Sequence, residues 1–359
     1  MEIGAGGGSL AKADQFGLLK VGPESAGAEP GPASYGQGGE VAAVTDADVL
    51  LGMLDPESFL GGDMPLDASR AKDAVSVISQ QLDLSDAEVA AGIHEVVNQN
   101  MSAAARMHGV ERGIDLRGIT LLAFGGAGPV HACGVAELLE SSKVIFPVNA
   151  SVLSAFGTLV SPVRIDLARS KPMLLNQIDE NLRDSLLEEL RVEGRRVLTA
   201  AGVEEGSVNF KYGIDARYEG QGNEITVWVG EGESWTADSD IVTSMFEEEY
   251  RRIYGLAIPD VGIEVVTWRL SASADLVLME PGKHSKGVDE EATSEGTRFV
   301  IFNRGEEPVE ASIYKRKSLK PGMFFKGPAI VEERETTSVI RPGWNVEVGD
   351  NGSLVAIKD

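Results

Sequence analysis

The spacing of apolar and polar residues predicts a chain of mixed α/β character. Between residues 85 and 109, apolar side chains recur every three or four positions and form one face of a helix. Ser85 and Glu88 have the spacing of a capping box at its start. The same periodicity predicts further helices over residues 67–81, 177–202 and 243–254. Gly194 weakens the prediction of the second of these, because glycine disfavours helix interiors.

Other stretches have the patterns of strands. The run ITLLAF (119–124), a helical segment and the run KVIFPV (143–148) follow one another in the order of a βαβ unit, whose parallel strands normally lie in a covered sheet. Alternation over residues 210–218, the turn EGQGNE and the apolar run ITVWV predict a hairpin, and IEVVTWRLSASADLV (263–277) predicts a returning strand. Short strands with turn signals over 298–359 predict a small β-barrel or sandwich.

Changes in composition along the chain predict three parts. Residues 1–65 are rich in Gly, Pro and Ser, which prevent long regular elements, and the apolar residues between them favour ordered loops. A polar segment at 281–297 precedes the last strands. We therefore predict an α/β part over residues 1–170, an α+β region over 171–280, and a linker with a β-rich domain over 281–359.

Overall composition narrows the class of protein. Of 359 residues, 43% are apolar and 25% charged, which suits a globular protein with two or three cores. A net charge of −24, from 32 Lys and Arg against 56 Asp and Glu, disfavours nucleic acid and anionic membranes as partners. A single cysteine, Cys133, excludes an internal disulfide and indicates a reducing cytoplasm. Neither a secretory signal nor an apolar run of about 18 residues is present in the sequence.

A glycine loop follows the predicted strand at 119–124. Gly125, Gly126 and Gly128 precede a helix, and such a junction brings backbone and unpaired N–H groups close to a ligand. The loop lacks the third glycine of a dinucleotide motif and the Lys-Ser/Thr of a P-loop. The pattern alone therefore favours a tight turn in an α/β core, with a nucleotide loop as the alternative.

Other segments also have two interpretations each. Gly6, Gly7, Gly8 and Ser9 form a hairpin turn or a phosphate-facing loop. His131, three residues after the glycine loop at 125–128, is a structural histidine or a ligand of phosphate or metal. The motifs of serine-triad hydrolases (G-x-S-x-G) and zinc proteases (H-E-x-x-H) are missing from the sequence, so those chemistries are unsupported.

Two aspartates stand close together near these loops. Asp46 and Asp48, spaced by two, lie on one side of an extended strand and could hold Mg²⁺ there. Alternatively, Thr45 and Asp46 begin a helix that runs through Leu50. Cys133 is expected to be a small core residue, and His94 and His108 carry no signal of a partner.

Several long segments resemble the hydantoinase A/5-oxoprolinase family. They are IGAGGGSLAKAD, LKVGPESAGAEPGPASYGQGGE, VTDADVLLGMLDP, NQNMSAAARMHGVERGIDLRGITLLAFGGAGPVHA, NASVLSAFGTLVSPVRIDLARS and YKRKSLKPGMFFKGPAIVEERETTSVIRPGW. The family includes ATP-dependent N-methylhydantoinases, oxoprolinases, and subunits of acetone and acetophenone carboxylases. The resemblance covers nearly the whole chain.

The resemblance implies part of an ATPase fold like that of actin, sugar kinases and heat-shock ATPases. In that fold a strand–GGxG–helix junction holds the adenosine of ATP, so Gly125, Gly126 and Gly128 become the nucleotide loop. By the same resemblance, residues 6–9 and Asp46 become candidates on the substrate or phosphate side, and Asp46 and His131 are the catalytic candidates. ATP and Mg²⁺ are the implied cofactors.

The implied function is part of an ATP-dependent cyclic-amide hydrolase that activates a carbonyl oxygen by phosphorylation. A subunit of an ATP-dependent ketone carboxylase and a non-catalytic scaffold are the alternatives. Two Asp-x-Gly-Gly-Thr-like phosphate loops expected of the fold are missing here. We therefore expect a missing N-terminal half or a split-gene partner, and a hydantoinase B-type subunit. Ser34 and Ile253 replace a Cys and a His of many relatives, which leaves metal ligands undefined.

Overall fold

The computed structural model describes residues 3–232, 235, 237–274 and 287–359, which form two compact units. Unit 1 comprises Met1–Phe156 and Pro281–Asp359, and unit 2 comprises Gly157–Glu280. Among the described residues, no helix combines the length and the apolar character needed to cross a membrane.

Unit 1 begins with a hairpin and three helices. Their bounds are β1 (Ser9–Ala13), β2 (Leu19–Ser25), α1 (Val44–Leu50), α2 (Ala68–Leu82) and α3 (Asp86–Glu111). The predicted capping box of α3 is confirmed, because the Glu88 N–H donates to Ser85 Oγ at 3.2 Å and the Ser85 N–H donates to the Glu88 carboxylate at 2.9 Å. Both helices predicted in this region are confirmed to within two residues at each end.

The predicted βαβ unit follows. It consists of β3 (Leu121–Leu122), α4 (Gly128–Leu138) and β4 (Lys143–Phe146), with β3 and β4 parallel. The strands are shorter than the predicted runs 119–124 and 143–148, and the chain after β3 turns at Gly125, which has a φ of +94°. Helix α5 (Leu153–Val160) then crosses the boundary between the units.

Unit 2 is an antiparallel sheet with two helices. Its elements are β5 (Val163–Leu174), α6 (Glu180–Ala200), β6 (Asn209–Tyr218), β7 (Ile225–Glu231), α7 (Ser239–Tyr254) and β8 (Ile263–Ala274). The strand order is β5-β8-β6-β7, and the predicted hairpin of β6 with β7 is confirmed. A Cβ on Gly194 would lie 2.9 Å from Ala272 Cβ, so the glycine lets α6 approach β8 closely. Phe246 and Tyr250 of α7 are buried as predicted, but Ile253 is 45% exposed.

The C-terminal strands return to unit 1. They are β9 (Glu290–Glu291), β10 (Gly296–Val300), β11 (Val309–Lys315), β12 (Met323–Lys326), β13 (Ala329–Glu332), β14 (Thr337–Ile340), β15 (Trp344–Val348) and β16 (Leu354–Lys358). One sheet has the order β10-β11-β13-β14, and a second has the order β3-β4-β16-β15-β12-β9. The described part of 281–359 is therefore not the separate domain we predicted, because β16 pairs with β4 and completes the sheet of the βαβ unit. Residues 275–277 and 281–286 of the predicted strand and linker lie outside the described residues.

Helix α4 links the two cores of unit 1. Its Val130 packs with the N-terminal helices and the β10-β11-β13-β14 sheet, while Ala132, Cys133 and Ala136 pack against the other sheet. Cys133 is buried, as expected of a core residue. Contacts on both sides fix the N-terminus of α4 and, with it, the glycine loop that precedes it.

Candidate nucleotide site

The two glycine loops lie side by side in unit 1. The Gly7 carbonyl oxygen accepts hydrogen bonds from the Thr45 N–H at 2.8 Å and the Thr45 hydroxyl at 2.9 Å. A Cβ on Gly7 would lie 2.7 Å from Thr45 Oγ1 and 3.4 Å from Ala127 Cβ. Glycine at position 7 therefore allows the first glycine loop (residues 6–9) to contact both α1 and the second glycine loop (residues 125–128). Within the first loop, the Gly6 N–H donates to Ser9 Oγ at 3.0 Å.

The second glycine loop is held in place from its outer side. The Gly125 N–H donates to the Ala150 carbonyl at 2.8 Å, and the Thr336 hydroxyl donates to the Gly126 carbonyl at 2.8 Å. Gly125 needs to be glycine because its φ is positive. A Cβ on Gly126 would have as its nearest neighbour Glu335 O at 3.8 Å, and one on Gly128 would have none within 4 Å. Chain packing thus gives no reason for glycine at 126 and 128, and the space beside them is open to a ligand.

A cavity of about 160 Å³ lies between the two loops, and we call it the glycine-loop cavity. Its walls are Gly7, Gly8, Tyr35, Thr45, Asp48, Leu54, Asp55, Ser58, Phe59, Leu60, Gly126, Ala127, Val130 and residues 332–337. An apolar cavity of about 150 Å³ accepts a benzene ring, so this volume suits one ring rather than a whole nucleoside triphosphate. Tyr35 and Phe59, whose ring centroids lie 5.7 Å apart, supply an aromatic wall.

The charges on the cavity wall do not favour phosphate. Five carboxylates line it, from Asp48, Asp55, Glu332, Glu333 and Glu335, against one guanidinium, from Arg334. Behind the wall, the cation of Arg298 bridges Asp55 at 2.8 Å and Glu332 at 2.7 Å, and Lys315 also contacts Glu332. A neutral base fits this wall better than a triphosphate does.

Asp46 lies beside the site but faces away from the cavity. Its carboxylate accepts backbone N–H groups from Ala33 at 3.1 Å, Ser34 at 2.8 Å and Ala43 at 2.8 Å, and the residue is fully buried. The extended-strand alternative is wrong, because residues 44–50 form α1. Asp46 and Asp48 consequently point in different directions: Asp46 fixes the loop at 33–34, and Asp48 lines the cavity.

Three buried side chains meet behind the cavity, and we call them the histidine–aspartate cluster (Asp48, His94 and His131). His94 Nδ1 lies 2.8 Å from Asp48 Oδ1, His131 Nε2 lies 3.7 Å from Asp48 Oδ2, and the two imidazole centroids are 4.6 Å apart. His94 carried no signal of a partner in the sequence, yet the fold pairs it with Asp48. The sequence could not show the contact because 46 residues separate His94 from Asp48.

Burial sets the protonation of this cluster. It lowers the pKa of His94 to about 3 and that of His131 to about 4, since the imidazolium form loses its hydration. It raises the pKa of Asp48 to about 7, since the carboxylate form also loses its hydration. At neutral pH both imidazoles are therefore uncharged, and the Asp48–His94 contact is a hydrogen bond.

Several cavity residues were not predicted from the sequence. Tyr35, Phe59 and residues 332–337 were not singled out for chemistry. Residues 332–337 lie in VEERETTSVI, which is part of a longer segment quoted above for its resemblance to the family. Their signal was weak because they come from three distant segments that only the fold brings together.

Comparison with known proteins gives the family. A family described as "Hydantoinase/oxoprolinase" matches residues 1–167, and one described as "Hydantoinase/oxoprolinase C-terminal domain" matches residues 173–359. The chain belongs to the hydantoinase/oxoprolinase family. The resemblance predicted from the sequence is thereby confirmed.

Individual members of the family are similar along nearly the whole chain. An uncharacterised protein of Methanocaldococcus jannaschii is 36% identical over 98% of this chain, and the caprolactamase subunit alpha of Pseudomonas jessenii is 33% identical over 96% of it. The chain spans 50% of the length of each.

Solved structures show the same mixed α/β fold. A nucleotide-free structure of acetone carboxylase superimposes with a TM-score of 0.79 at 27% identity, covering 99% of this chain and 52% of that one. The ATP-dependent caprolactamase from Pseudomonas jessenii gives a TM-score of 0.77 at 31% identity, covering 98% and 52%. The predicted α/β class is confirmed.

Proposed function

We propose that this chain carries the nucleotide-binding glycine loops of an ATP-dependent enzyme that opens a cyclic amide. The observation that carries the proposal is the pairing of two glycine loops across one cavity, with Gly126 and Gly128 leaving open space beside the N-terminus of α4. The names of similar proteins support it, since they include an ATP-dependent caprolactamase and a 5-oxoprolinase.

The proposed reaction uses ATP to make an amide oxygen a leaving group. The carbonyl oxygen of the cyclic amide attacks the γ-phosphorus of ATP, and ADP departs. Water then adds to the activated carbon, and the ring opens as the C–N bond breaks and the amine leaves with a proton from that water. A second water hydrolyses the resulting acyl phosphate to a carboxylate and inorganic phosphate. The chain's contribution is to hold the nucleotide, because positioning and charge neutralisation supply most of the catalysis in phosphoryl transfer.

The glycine-loop cavity suits the base of the nucleotide. Its aromatic wall of Tyr35 and Phe59 packs against a flat ring, and Thr337, which also lines the cavity, offers a hydroxyl to a ring nitrogen. The second glycine loop is then the adenosine loop, and residues 6–9 face the ligand from the opposite side.

Mg²⁺ would accompany ATP, and carboxylates at the cavity fit that ion. Mg²⁺ prefers oxygen ligands. Among the described residues, Glu333 Oε1 is buried without a hydrogen-bond partner, and Arg316 Nη1 lies 4.0 Å from it. Glu333 and the neighbouring Glu335 are therefore the candidate ligands, and the ion would supply neutralisation of phosphate charge.

The enzyme is proposed to act in the cytoplasm as a larger assembly. Relatives carry the names of subunits, and each is about twice as long as this chain. We infer that a second half of the ATPase and a hydantoinase B-type subunit complete it. A ketone carboxylase subunit is the second candidate function, favoured by the superposition on acetone carboxylase.

A nucleotide-binding experiment tests the proposal. The native assembly is purified, and the affinity for Mg-ATP is measured by calorimetry for the wild type, Gly126→Val and Gly296→Val. Gly296, in β10, is the control: its ideal Cβ has no heavy atom within 4 Å, and that of Gly126 has only Glu335 O, at 3.8 Å. Binding should be abolished by Gly126→Val alone. Unchanged binding in that variant would remove the second glycine loop from the nucleotide site.

A substrate panel then separates the two candidate functions. Release of ADP in the presence of a lactam, hydantoin or oxoproline, with ring opening seen by mass spectrometry, supports the hydrolase. ADP release that requires bicarbonate and a ketone, with a carboxylated product, supports the carboxylase instead.

A further inference from the structure

We propose that Asp48, His94 and His131 bind a divalent transition-metal ion, of the Zn²⁺ or Co²⁺ type. Two imidazole nitrogens and one carboxylate form a common ligand set for such ions. One ligand atom of each of the three side chains lies within 4.8 Å of the others, and all three residues are buried. The site is separate from the candidate Mg²⁺ ligands Glu333 and Glu335.

The spacing of the ligand atoms fits a metal after small movements. Zn–N and Zn–O bonds of about 2.0–2.1 Å in a tetrahedron place ligand atoms about 3.3 Å apart. The two measured separations, 2.8 Å for His94–Asp48 and 3.7 Å for His131–Asp48, lie on either side of that value. These contacts involve different oxygens of the Asp48 carboxylate, and no separation among the three ligand atoms exceeds 4.8 Å, so metal binding would draw the side chains closer together.

His131 supplies an independent observation. Within the described part of the chain, neither Nδ1 nor Nε2 of His131 has a hydrogen-bond partner, although the side chain is fully buried. A buried polar atom left unpaired costs about 1–3 kcal/mol. A metal ion at Nε2 would use that nitrogen's lone pair and would so account for one of the two unpaired nitrogens.

The fold also holds the three ligands in place. Asp48 is on α1, His94 on α3 and His131 on α4, and these helices pack together in unit 1. Three protein ligands leave a coordination position for water or substrate, as in catalytic zinc sites. Because Asp48 also lines the glycine-loop cavity, the ion would lie next to the proposed base pocket.

Metal titration of the native assembly tests this site without nucleotide. Protein stripped with a chelator is titrated with Co²⁺, whose visible absorption reports tetrahedral nitrogen and oxygen ligands. The wild type should bind one equivalent of Co²⁺ per chain. In Asp48→Asn and in His94→Gln the affinity for Co²⁺ should fall by at least about 100-fold, more than the loss typical of removing a residue that only hydrogen-bonds to a metal ligand. His108→Gln is the control, because His108 lies exposed near the end of α3.

The outcome is decided by the wild type even if a variant fails to fold. Wild-type protein that gives no Co²⁺ spectrum, and that contains no Zn²⁺, Mn²⁺ or Fe²⁺ by elemental analysis as purified, would overturn the proposal and leave a hydrogen-bonded cluster. Equal binding by folded wild type and both cluster variants would also overturn it. Neither result depends on ATP, so failure here is distinguishable from failure of the proposed function.

Discussion

Replacing Asp46 by alanine tests whether this carboxylate is a structural acceptor. The change leaves three buried N–H groups, of Ala33, Ser34 and Ala43, without their present partner. Each unpaired group costs about 1–3 kcal/mol, for a sum of about 3–9 kcal/mol. Water entering the vacated space would recover part of this, so we expect the free energy of unfolding to fall by about 3–5 kcal/mol.

Two further variants calibrate the effect. Asp46→Asn keeps one acceptor oxygen, which at the Oδ2 position still serves Ala33 and Ala43, so about 1–3 kcal/mol should be lost. Asp67→Ala removes an exposed N-cap of α2, which accepts from Ser69 and Arg70, and should cost about 1 kcal/mol.

The assay is urea-dependent hydrogen exchange of peptides from α1 and α3, so that unit 2 does not contribute to the signal. The expected order of destabilisation is Asp46→Ala, then Asp46→Asn, then Asp67→Ala. An Asp46→Ala variant no less stable than Asp67→Ala would refute the reasoning. Loss of ATP turnover in a fully stable Asp46→Asn protein would instead favour the catalytic role predicted from the sequence.

Three more predictions concern packing and charge. Gly194→Val should destabilise unit 2 by about 1–3 kcal/mol through overpacking against Ala272, whereas Gly222→Ala, with open space around it, should change thermal unfolding little. Arg298→Met should cost about 2–3 kcal/mol, since Glu332 loses one of its two cations, and adding Glu332→Gln should restore part of the loss in denaturant titrations. Burial raises the pKa of Cys133 to about 12, so the thiol should react slowly with a disulfide reagent at pH 8. The reagent should label less than about a tenth of the folded chains, but one thiol per chain in urea. Rapid labelling without denaturant would contradict the buried position.

The elements that sequence reasoning predicted best are those with a local cause. Helix α3 has its own apolar face and capping box, and the β6–β7 hairpin has alternation on both sides of a turn. The pairing of β16 with β4 has no local cause in the sequence. Only this long-range pairing shows that the C-terminal strands belong to unit 1. The predicted boundaries near 170 and 280 rested on changes in composition, which do not report such long-range pairing.

The candidate site divides in the same way. Glycine loops are visible in a sequence, and both predicted loops meet at one cavity. The partnership of Asp48 with His94 and His131 depends on three helices packing together, which no spacing rule encodes. Asp46 drew attention because acidic residues near glycine loops suggest metal binding, yet its carboxylate is occupied by backbone N–H groups.

The central claim is that the two glycine loops hold one nucleotide, and hydrogen exchange in the native assembly tests it most directly. Exchange of peptides covering residues 4–9, 125–130 and 219–224 is compared with and without a non-hydrolysable ATP analogue and Mg²⁺. The account predicts slower exchange in the first two peptides and no change in the third, which is an exposed turn of unit 2. Saturating nucleotide that leaves both glycine loops unprotected would contradict it.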